Sequence, residues 1–179
     1  MENKINWVID PTHSEIAFKV KHLMISNVKG VFGEFESTVT TEGEDFSSAA
    51  INVRIKAASI NTGTADRDNH LRSADFFDAE NFSDISFAST SLKKVSDDEF
   101  ALSGDLTIRG ITKPVTLDVE FGGIMNDPWG NVKAGFTVSG KINRKEWGLN
   151  WNAALEAGGV LVSDEVKINC EVEYLQVKS

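Results

Sequence analysis

The stretch FALSGDLTIRGITKPVTLDVEF, residues 100–121, contains two runs in which apolar and polar side chains alternate. The apolar positions are Phe100, Leu102, Leu106 and Ile108 in the first run, and Val115, Leu117, Val119 and Phe121 in the second. Such alternation is typical of antiparallel strands with one dry face and one wet face. The GITKP segment at 110–114 predicts a short link, because glycine and proline favour turns. The stretch therefore predicts two consecutive antiparallel strands.

The same period of two recurs along the rest of the chain. It is found in SEIAFKVKH at 14–22, AINVRIKA at 50–57 and VKAGFTVSGKI at 132–142. Counting all such runs gives about eight or nine strands. A sheet of this size closes into a barrel or folds as a sandwich, and periodicity alone leaves both open. An eight-stranded barrel would have room for packed side chains or for one small ligand.

Residues 61–82 interrupt the alternation with the sequence NTGTADRDNHLRSADFFDAENF. This segment predicts a short helical insert at about 62–80. Thr64 suits the N-cap position, and Asp68 and Arg72 have the spacing of an ion pair within a helix.

A second interruption covers about 143–163, NRKEWGLNWNAALEAGGVLVS, and predicts a long loop or short helix. Gly158 and Gly159 predict a flexible hinge near its end. Both interruptions are expected to lie over an opening of the sheet. Because the sequence contains no repeat, low-complexity tract or linker, residues 1–179 are predicted to form a single domain.

The overall charge narrows the classes of partner. The chain has 18 basic and 27 acidic residues, a net charge of -9. Binding to nucleic acid needs clustered Lys and Arg, so this composition disfavours a nucleic-acid partner and stable membrane insertion. The N-terminal sequence does not read as a signal peptide, which predicts a cytoplasmic location, or a periplasmic one if a leader has been removed. A homodimer is left open.

The residues that could perform chemistry do not form a recognisable catalytic or metal-binding pattern. His13, His22 and His70 lack the close spacing of metal ligands, so no metal or other cofactor is predicted. Ser14 follows His13, but neighbours on an extended chain point to opposite faces. No nucleophile elbow or phosphate loop is present, and no catalytic residue is assigned. Cys170 alternates with apolar residues, which favours a packed core position over a reactive thiol.

Five ordered motifs carry a resemblance to a known family. They are WVIDPTHSEIAFKVKHL (7–23), VKGVFGEFE (28–36), RDNHLRSADFFDAENF (67–82), GDLTIRGITKPV (104–115) and INRKEWG (142–148). Together they strongly resemble the YceI-like family of polyisoprenoid-binding proteins, over essentially the whole chain. The resemblance implies an all-β fold, a single antiparallel eight-stranded lipocalin-like barrel. It further implies that the interior holds a long isoprenoid or similar amphipathic lipid, such as an isoprenoid quinone or a prenyl phosphate.

The family's signature R-D-x-H-L matches Arg67, Asp68, His70 and Leu71, and two phenylalanines follow at 76 and 77. We expect Leu71 and both phenylalanines to face the barrel interior. The three polar residues are expected near its rim, as hydrogen-bonding anchors of the insert in preference to contacts with a ligand head group. Two features depart from the family: no secretory leader is seen, and a tryptophan (Trp147) stands where relatives often have phenylalanine.

The predicted ligand-binding wall consists of the inward-facing apolar residues of the strands and the aromatic residues near the opening. It comprises Phe18, Val20, Phe32, Val53, Ile55, Leu71, Phe76, Phe77, Phe87, Leu102, Leu106, Leu117, Val119, Phe136, Val138, Trp147 and Trp151. The sequence thus predicts a non-catalytic protein that binds, transports or stores a long-chain lipid. Two alternatives are a structural or stress-response interaction protein with a filled core, and an enzyme acting on a bound lipid.

Overall fold

The computed structural model describes residues 3–152 and 161–177 and contains, within these ranges, eleven strand segments and one α-helix. The strands are β1 (Lys4–Ile9), β2 (Glu15–His22), β3 (Ser26–Phe32), β4 (Phe35–Glu42), β5 (Asp45–Lys56), β6 (Ile60–Asn61), β7 (Asp84–Lys94), β8 (Glu99–Ile108), β9 (Ile111–Asn126), β10 (Val132–Asn143) and β11 (Val162–Gln176), and helix α1 spans Ala65–Arg72. Short 3₁₀ turns cover Pro11–His13, Ala57–Ser59 and Arg144–Trp147.

Eight of these strands form a closed antiparallel barrel. Their order is β1-β4-β5-β7-β8-β9-β10-β11, and the pairing of β11 with β1 closes the ring. The remaining strands extend the wall, because β2 pairs with β11, β3 with β2, and β6 with β3. The prediction of an eight-stranded antiparallel barrel is confirmed.

β1 and β2 together act as one long strand beside β11. Ile9 of β1 lies opposite Tyr174, and Glu15 of β2 lies opposite Glu171. The Pro11–His13 turn interrupts this strand without changing its neighbour. β11 itself has 15 residues, so at ~3.3 Å per residue it is roughly 50 Å long and forms a tall wall.

The hairpin at 100–121 forms as predicted, but its link is shorter than the GITKP segment. Ile108 pairs with Ile111, so the turn consists of Arg109 and Gly110. Both have positive φ, 52° and 74°, as a type I′ turn requires. Pro114 therefore lies inside β9 and not in a link. Its missing N–H is tolerated because β10 pairs with β9 over residues 118–126, beyond the proline.

The helical insert and the N-cap position of Thr64 are confirmed, whereas the ion pair predicted within the insert is wrong. Thr64 occupies the N-cap position of α1, but its side chain makes no capping hydrogen bond. Asp68 and Arg72 do not form an ion pair. Asp68 accepts hydrogen bonds from Thr62, and Arg72 donates to the carbonyl of Ala58 at 2.8 Å and to that of Ile60. Unpaired backbone groups created by the tertiary fold provide better partners than a neighbouring helix turn.

The second interruption begins as the 3₁₀ turn Arg144–Trp147. The predicted hinge at Gly158 and Gly159 lies outside the described residues. This connection and the α1 insert both join strands at the same end of the barrel, which we call the loop end. Arg109 confirms that they meet there, because its guanidinium donates to carbonyls of Phe76 and Gly148, each at 3.3 Å.

The opposite end of the barrel, which we call the aromatic end, is packed with rings. They belong to Trp7, Phe46, Phe121, Phe136 and Tyr174. The ring of Phe46 lies 5.1–5.3 Å from those of Trp7, Phe121 and Phe136, measured between centroids. These offset and tilted contacts fill the end of the barrel with apolar groups.

Candidate ligand-binding cavity

A cavity of about 540 Å³ occupies the interior of the barrel between the two ends. Its wall comes from alternate residues of the strands, so the side chains that alternate in the sequence share one dry surface. Along β11 the lining residues alternate regularly from Val166 to Tyr174, and Val162 adds to the lining where the strand begins. Eight steps of ~3.3 Å on a strand tilted by ~40° give a lined length of roughly 20 Å.

Sixteen of the seventeen predicted wall residues line this cavity. They are Phe18, Val20, Phe32, Val53, Ile55, Leu71, Phe76, Phe77, Phe87, Leu102, Leu106, Leu117, Val119, Phe136, Val138 and Trp151. Trp147 is not among the lining residues. It is completely buried, and its indole N–H donates to the carbonyl of Leu106 at 2.9 Å. Trp147 therefore packs behind the wall instead of standing near the opening, where the sequence placed it.

The sequence analysis missed much of the lining surface that β11 contributes. Val166, Ile168, Cys170, Val172 and Tyr174 all line the cavity. The sequence analysis assigned Cys170 to the packed core on the basis of this alternation and placed none of the five residues in the predicted wall. In a closed barrel every strand presents its dry face to the same interior, so the signal for these residues was the same as for the predicted wall.

The loop end of the cavity contains polar and charged side chains. Lys21, His22, Asp66, Arg67 and His70 all belong to its lining. The aromatic end offers almost no hydrogen-bonding groups apart from the hydroxyls of Ser37 and Tyr174. The cavity is therefore apolar along its length and polar at one end, the arrangement that suits an amphipathic molecule.

Arg67 anchors the beginning of the insert. Its Nε donates to the Thr62 hydroxyl at 2.7 Å, and its Nη2 donates to the Thr62 carbonyl at 2.8 Å. Asp68, which is buried and does not line the cavity, accepts from both the backbone N–H and the hydroxyl of Thr62. This geometry favours the anchor role for both residues. Nη1 of Arg67 makes no hydrogen bond within residues 3–152 and 161–177, so this nitrogen can contact a head group.

The side chain of His70 lies where the α1 insert meets the connection that follows β10. Its Nε2 is 2.9 Å from Oδ2 of Asp75. The imidazole ring also makes edge contacts with Phe76 and Trp151, with centroids 5.1 and 4.6 Å away. These contacts hold the ring in place on the cavity wall, and they join the α1 insert to Trp151 across the loop end.

Arg144 is a site residue that the sequence analysis did not identify. Its guanidinium is buried, lines the cavity and donates to four backbone carbonyls. The acceptors belong to Leu149, Trp151, Val162 and Ser163. Burial lowers the pKa of this guanidinium, and the charge of Asp164 opposes that effect. The only sequence signal was an arginine directly before a long connection, at a position where loop carbonyls need donors.

Two titratable groups on the wall are held in their neutral forms. Burial raises the pKa of the Cys170 thiol to about 11 and the pKa of the Tyr174 hydroxyl to about 12. Tyr174 donates to Oγ of Ser37 at 2.7 Å, and Ser37 donates onward to the carbonyl of Asn52. A buried, protonated Cys170 has little nucleophilic character, as the sequence predicted.

One group of possible metal ligands lies outside the cavity wall. Atoms of Asp10, His13 and Glu173 come within 4.8 Å of one another at the junction of β1 and β2. The Lys133 ammonium lies 3.1 Å from Glu173 and 3.7 Å from Asp10. The lysine therefore already pairs with both carboxylates, and the group forms an ion-pair network at this junction.

Comparison with protein families identifies the chain. The family described as "YceI-like domain" matches this chain over residues 7–174. The chain belongs to the YceI-like family. Among curated relatives, a UPF0312 protein of Staphylococcus aureus (strain USA300) is 42% identical over 170 residues, covering 94% of this chain and 96% of the relative. Nearly the whole length of the chain is therefore shared with the family.

Solved structures of similar proteins support the fold. A Campylobacter jejuni YceI protein is 34% identical, with a TM-score of 0.77 over 88% of this chain and 90% of its own. A polyisoprenoid-binding domain from Saccharophagus degradans is 14% identical, with a TM-score of 0.70 over 96% of this chain and 98% of its own. The second shares the fold alone. In the described part of this chain, no helix is long and apolar enough to cross a bilayer.

Proposed function

We propose that this protein is a non-catalytic carrier that binds, transports or stores a long-chain amphipathic lipid, such as a polyisoprenoid or an isoprenoid quinone. The observation that carries this proposal is the apolar cavity of about 540 Å³ whose charged lining residues lie at the loop end. Pockets of this volume hold small organic ligands. The family, and the similarity in fold to a polyisoprenoid-binding domain, support the same ligand class.

Apolar burial alone can supply the affinity. Burying ~400 Å² of apolar ligand surface at ~25 cal/mol/Å² corresponds to about 10 kcal/mol before the costs of binding. Loss of ligand freedom offsets half or more of this, which leaves a Kd on the order of micromolar. A head group would lie at the loop end, where Arg67 and Lys21 line the cavity.

The two alternative functions have less support. A structural protein with a filled core does not need an empty apolar interior, and the cavity argues against it. For an enzyme, the relevant group is the pair of His70 and Asp75 at the cavity wall. Turnover of an isoprenoid substrate that disappears in His70→Ala would favour catalysis. The cytoplasmic location and the oligomeric state stay predictions.

The ligand can be identified by mass spectrometry of an organic extract from the purified protein. We expect a long-chain lipid in stoichiometric amount. Val138→Phe inserts a ring into the cavity from β10, and we expect this variant to lose the lipid while its melting temperature stays the same or rises, because the ring fills a void.

The matched control is Ser139→Phe, since Ser139 is the next residue of β10 and its side chain is exposed on the outer face. This variant should retain the lipid. An extract without lipid from the unmodified protein, or equal retention by both variants, would contradict the carrier function.

A further inference from the structure

The turn between β2 and β3 presents three consecutive apolar side chains to solvent at the loop end. Leu23, Met24 and Ile25, which we call the apolar tip, have exposed fractions of 41%, 51% and 85%. The N–H of Ile25 donates to the carbonyl of His22 at 3.3 Å and closes a tight turn. The exposure therefore belongs to an ordered turn.

The backbone of this turn is strained for the residues that it carries. Leu23 and Met24 have φ values of 56° and 65°. Such turns favour Asn and Gly, because a Cβ crowds the backbone at positive φ and bulky apolar residues are rare there. Two apolar side chains are thus exposed to water at positions where Asn-Gly would be more stable. Folding does not explain them, and such strain often marks a functional surface.

Below the apolar tip, four lysines lie side by side across four adjacent strands. Lys141 of β10 is opposite Lys167 of β11, Lys167 is opposite Lys19 of β2, and Lys19 is opposite Lys29 of β3. All four are exposed, and we call them the lysine row. Like charges directly opposite each other destabilise a sheet, and this row occurs in a chain of net charge -9.

The charges of the lysine row are only partly compensated. Lys29 lies 3.0 Å from Glu15, and Lys141 lies 3.7 Å from Glu165, both in exposed pairs that contribute little. Lys19 and Lys167 form no ion pair with any residue in 3–152 or 161–177. The centre of the row is therefore a cationic surface that is open to an anionic partner.

The distance between the apolar tip and the lysine row is the one expected for a membrane-docking surface. Lys19 precedes the tip by four residues and Lys29 follows it by four, which places them roughly 10 Å below it on tilted strands. Apolar groups of peripheral proteins enter a bilayer by ~5–10 Å. A tip at that depth brings the lysines to the level of the lipid phosphates.

We propose that the loop end docks reversibly on an anionic bilayer, with the apolar tip among the acyl chains and the lysine row against the head groups. Either signal alone gives weak attachment, and the two together give measurable binding. The net charge of -9 repels the rest of the molecule from the same surface, which makes docking reversible and dependent on salt.

Docking at this place would bring the cavity to the membrane. His22, Leu161 and Val162 line the loop end of the cavity, and the N–H of Leu23 donates to the carbonyl of Leu161 at 2.9 Å. The purpose of docking, exchange of lipid between bilayer and cavity, rests on the proposed function. The binding itself does not depend on it.

The test is sedimentation of the full chain with vesicles of mixed phosphatidylglycerol and phosphatidylcholine, compared with phosphatidylcholine alone. We expect binding to the anionic vesicles and release at high salt. The double variant Leu23→Asn, Met24→Gly should bind about tenfold more weakly, while its melting temperature stays the same or rises because the turn strain is relieved. Lys19→Gln with Lys167→Gln should also lose about tenfold, since each lysine at the surface contributes several-fold.

Trp129→Ser is the matched control, because Trp129 is 80% exposed on a turn at the aromatic end. It should leave vesicle binding unchanged. The inference is overturned if the unmodified chain does not bind anionic vesicles, if the tip and lysine variants bind as well as it does, or if only an acidic protein competes for the lysines. Extracting lipid from the same preparations separates the two proposals. If the protein retains its lipid but does not bind vesicles, the docking proposal is contradicted and the carrier function is not.

Discussion

Apolar packing is present at both ends of the barrel, but at the loop end it is combined with a set of arginine hydrogen bonds. At the aromatic end, Phe46 and its neighbours close the interior by packing of rings. At the loop end, the side chains of Arg67, Arg72, Arg109 and Arg144 donate to backbone carbonyls of the connecting segments. Connections outside a sheet leave carbonyls without partners, and arginine supplies several donors at once.

This difference indicates where the barrel can open. Separating the packed rings would expose apolar surface over the whole aromatic end, and that surface belongs to the same cluster as the barrel core. Opening the loop end breaks hydrogen bonds that water can replace and leaves the strand ladders intact, although it also separates the smaller apolar cluster that includes Phe76, Trp147 and Leu149. We therefore expect lipid to enter and leave at the loop end, while the aromatic end supports global stability.

The largest expected effect comes from Phe46→Ala at the aromatic end. Phe46 is 4% exposed and contacts three other rings, so its loss leaves a cavity among buried groups. We expect the free energy of unfolding to fall by about 3–5 kcal/mol, measured by urea denaturation. Trp129→Ala at the same end is the control and should change it by about 0.5 kcal/mol or less, because that side chain is exposed. A small loss for Phe46→Ala would show that the rings do not stabilise this end.

Arg144→Leu tests the loop end and is expected to have a smaller and more local effect. The variant leaves the carbonyls of Leu149, Trp151, Val162 and Ser163 without their donor. Because some of these groups can be hydrated, we expect a loss of about 2–3 kcal/mol. Limited proteolysis should detect new cleavage within residues 144–163, and hydrogen exchange at the aromatic end should stay the same.

Lys145→Gln is the control for this variant. Lys145 is the neighbouring cation, but its pair with Asp164 at 3.4 Å is exposed and contributes little. It should leave both stability and proteolysis unchanged. If Arg144→Leu accelerated exchange equally at both ends, the two ends would form one cooperative unit and the comparison would fail.

Most of the predicted residues line the cavity for a simple reason. Successive side chains of a strand point to opposite faces. In a run such as 100–121, the apolar residues therefore show which positions face the interior and which face solvent. The same rule does not orient Trp147, which lies in a 3₁₀ turn, so its position behind the wall could not be predicted. The prediction of an ion pair between Asp68 and Arg72 was wrong because spacing along a helix gives no information about hydrogen-bond partners outside that helix. The role of Arg144 depends on carbonyls that come together only in the folded barrel.

The smallest effect at neutral pH is expected for Tyr174→Phe, which removes the buried pair of hydroxyls that Tyr174 forms with Ser37. Losing the hydrogen bond to Ser37 should lower the free energy of unfolding by about 1 kcal/mol. The variant becomes informative at alkaline pH. Burial raises the pKa of Tyr174 from 10.0 to about 12, so the folded protein holds this proton more tightly than the unfolded chain does. The resulting stabilisation is complete below about pH 10 and is lost as the pH rises towards about 12.

A pKa difference of this size corresponds to about 2–3 kcal/mol, so the unmodified protein should lose roughly that much stability across this pH window. Urea denaturation at a series of pH values should show a shallower decline for Tyr174→Phe above about pH 10. Both proteins should share an earlier decline from about pH 9, because burial also raises the pKa of Cys170, from 9.0 to about 11. Identical curves for the two proteins would mean that the aromatic end admits water to the hydroxyl, since a hydrated phenol would ionise alike in both states. Ring packing would then not exclude solvent there, and the expected contrast with the loop end would be lost.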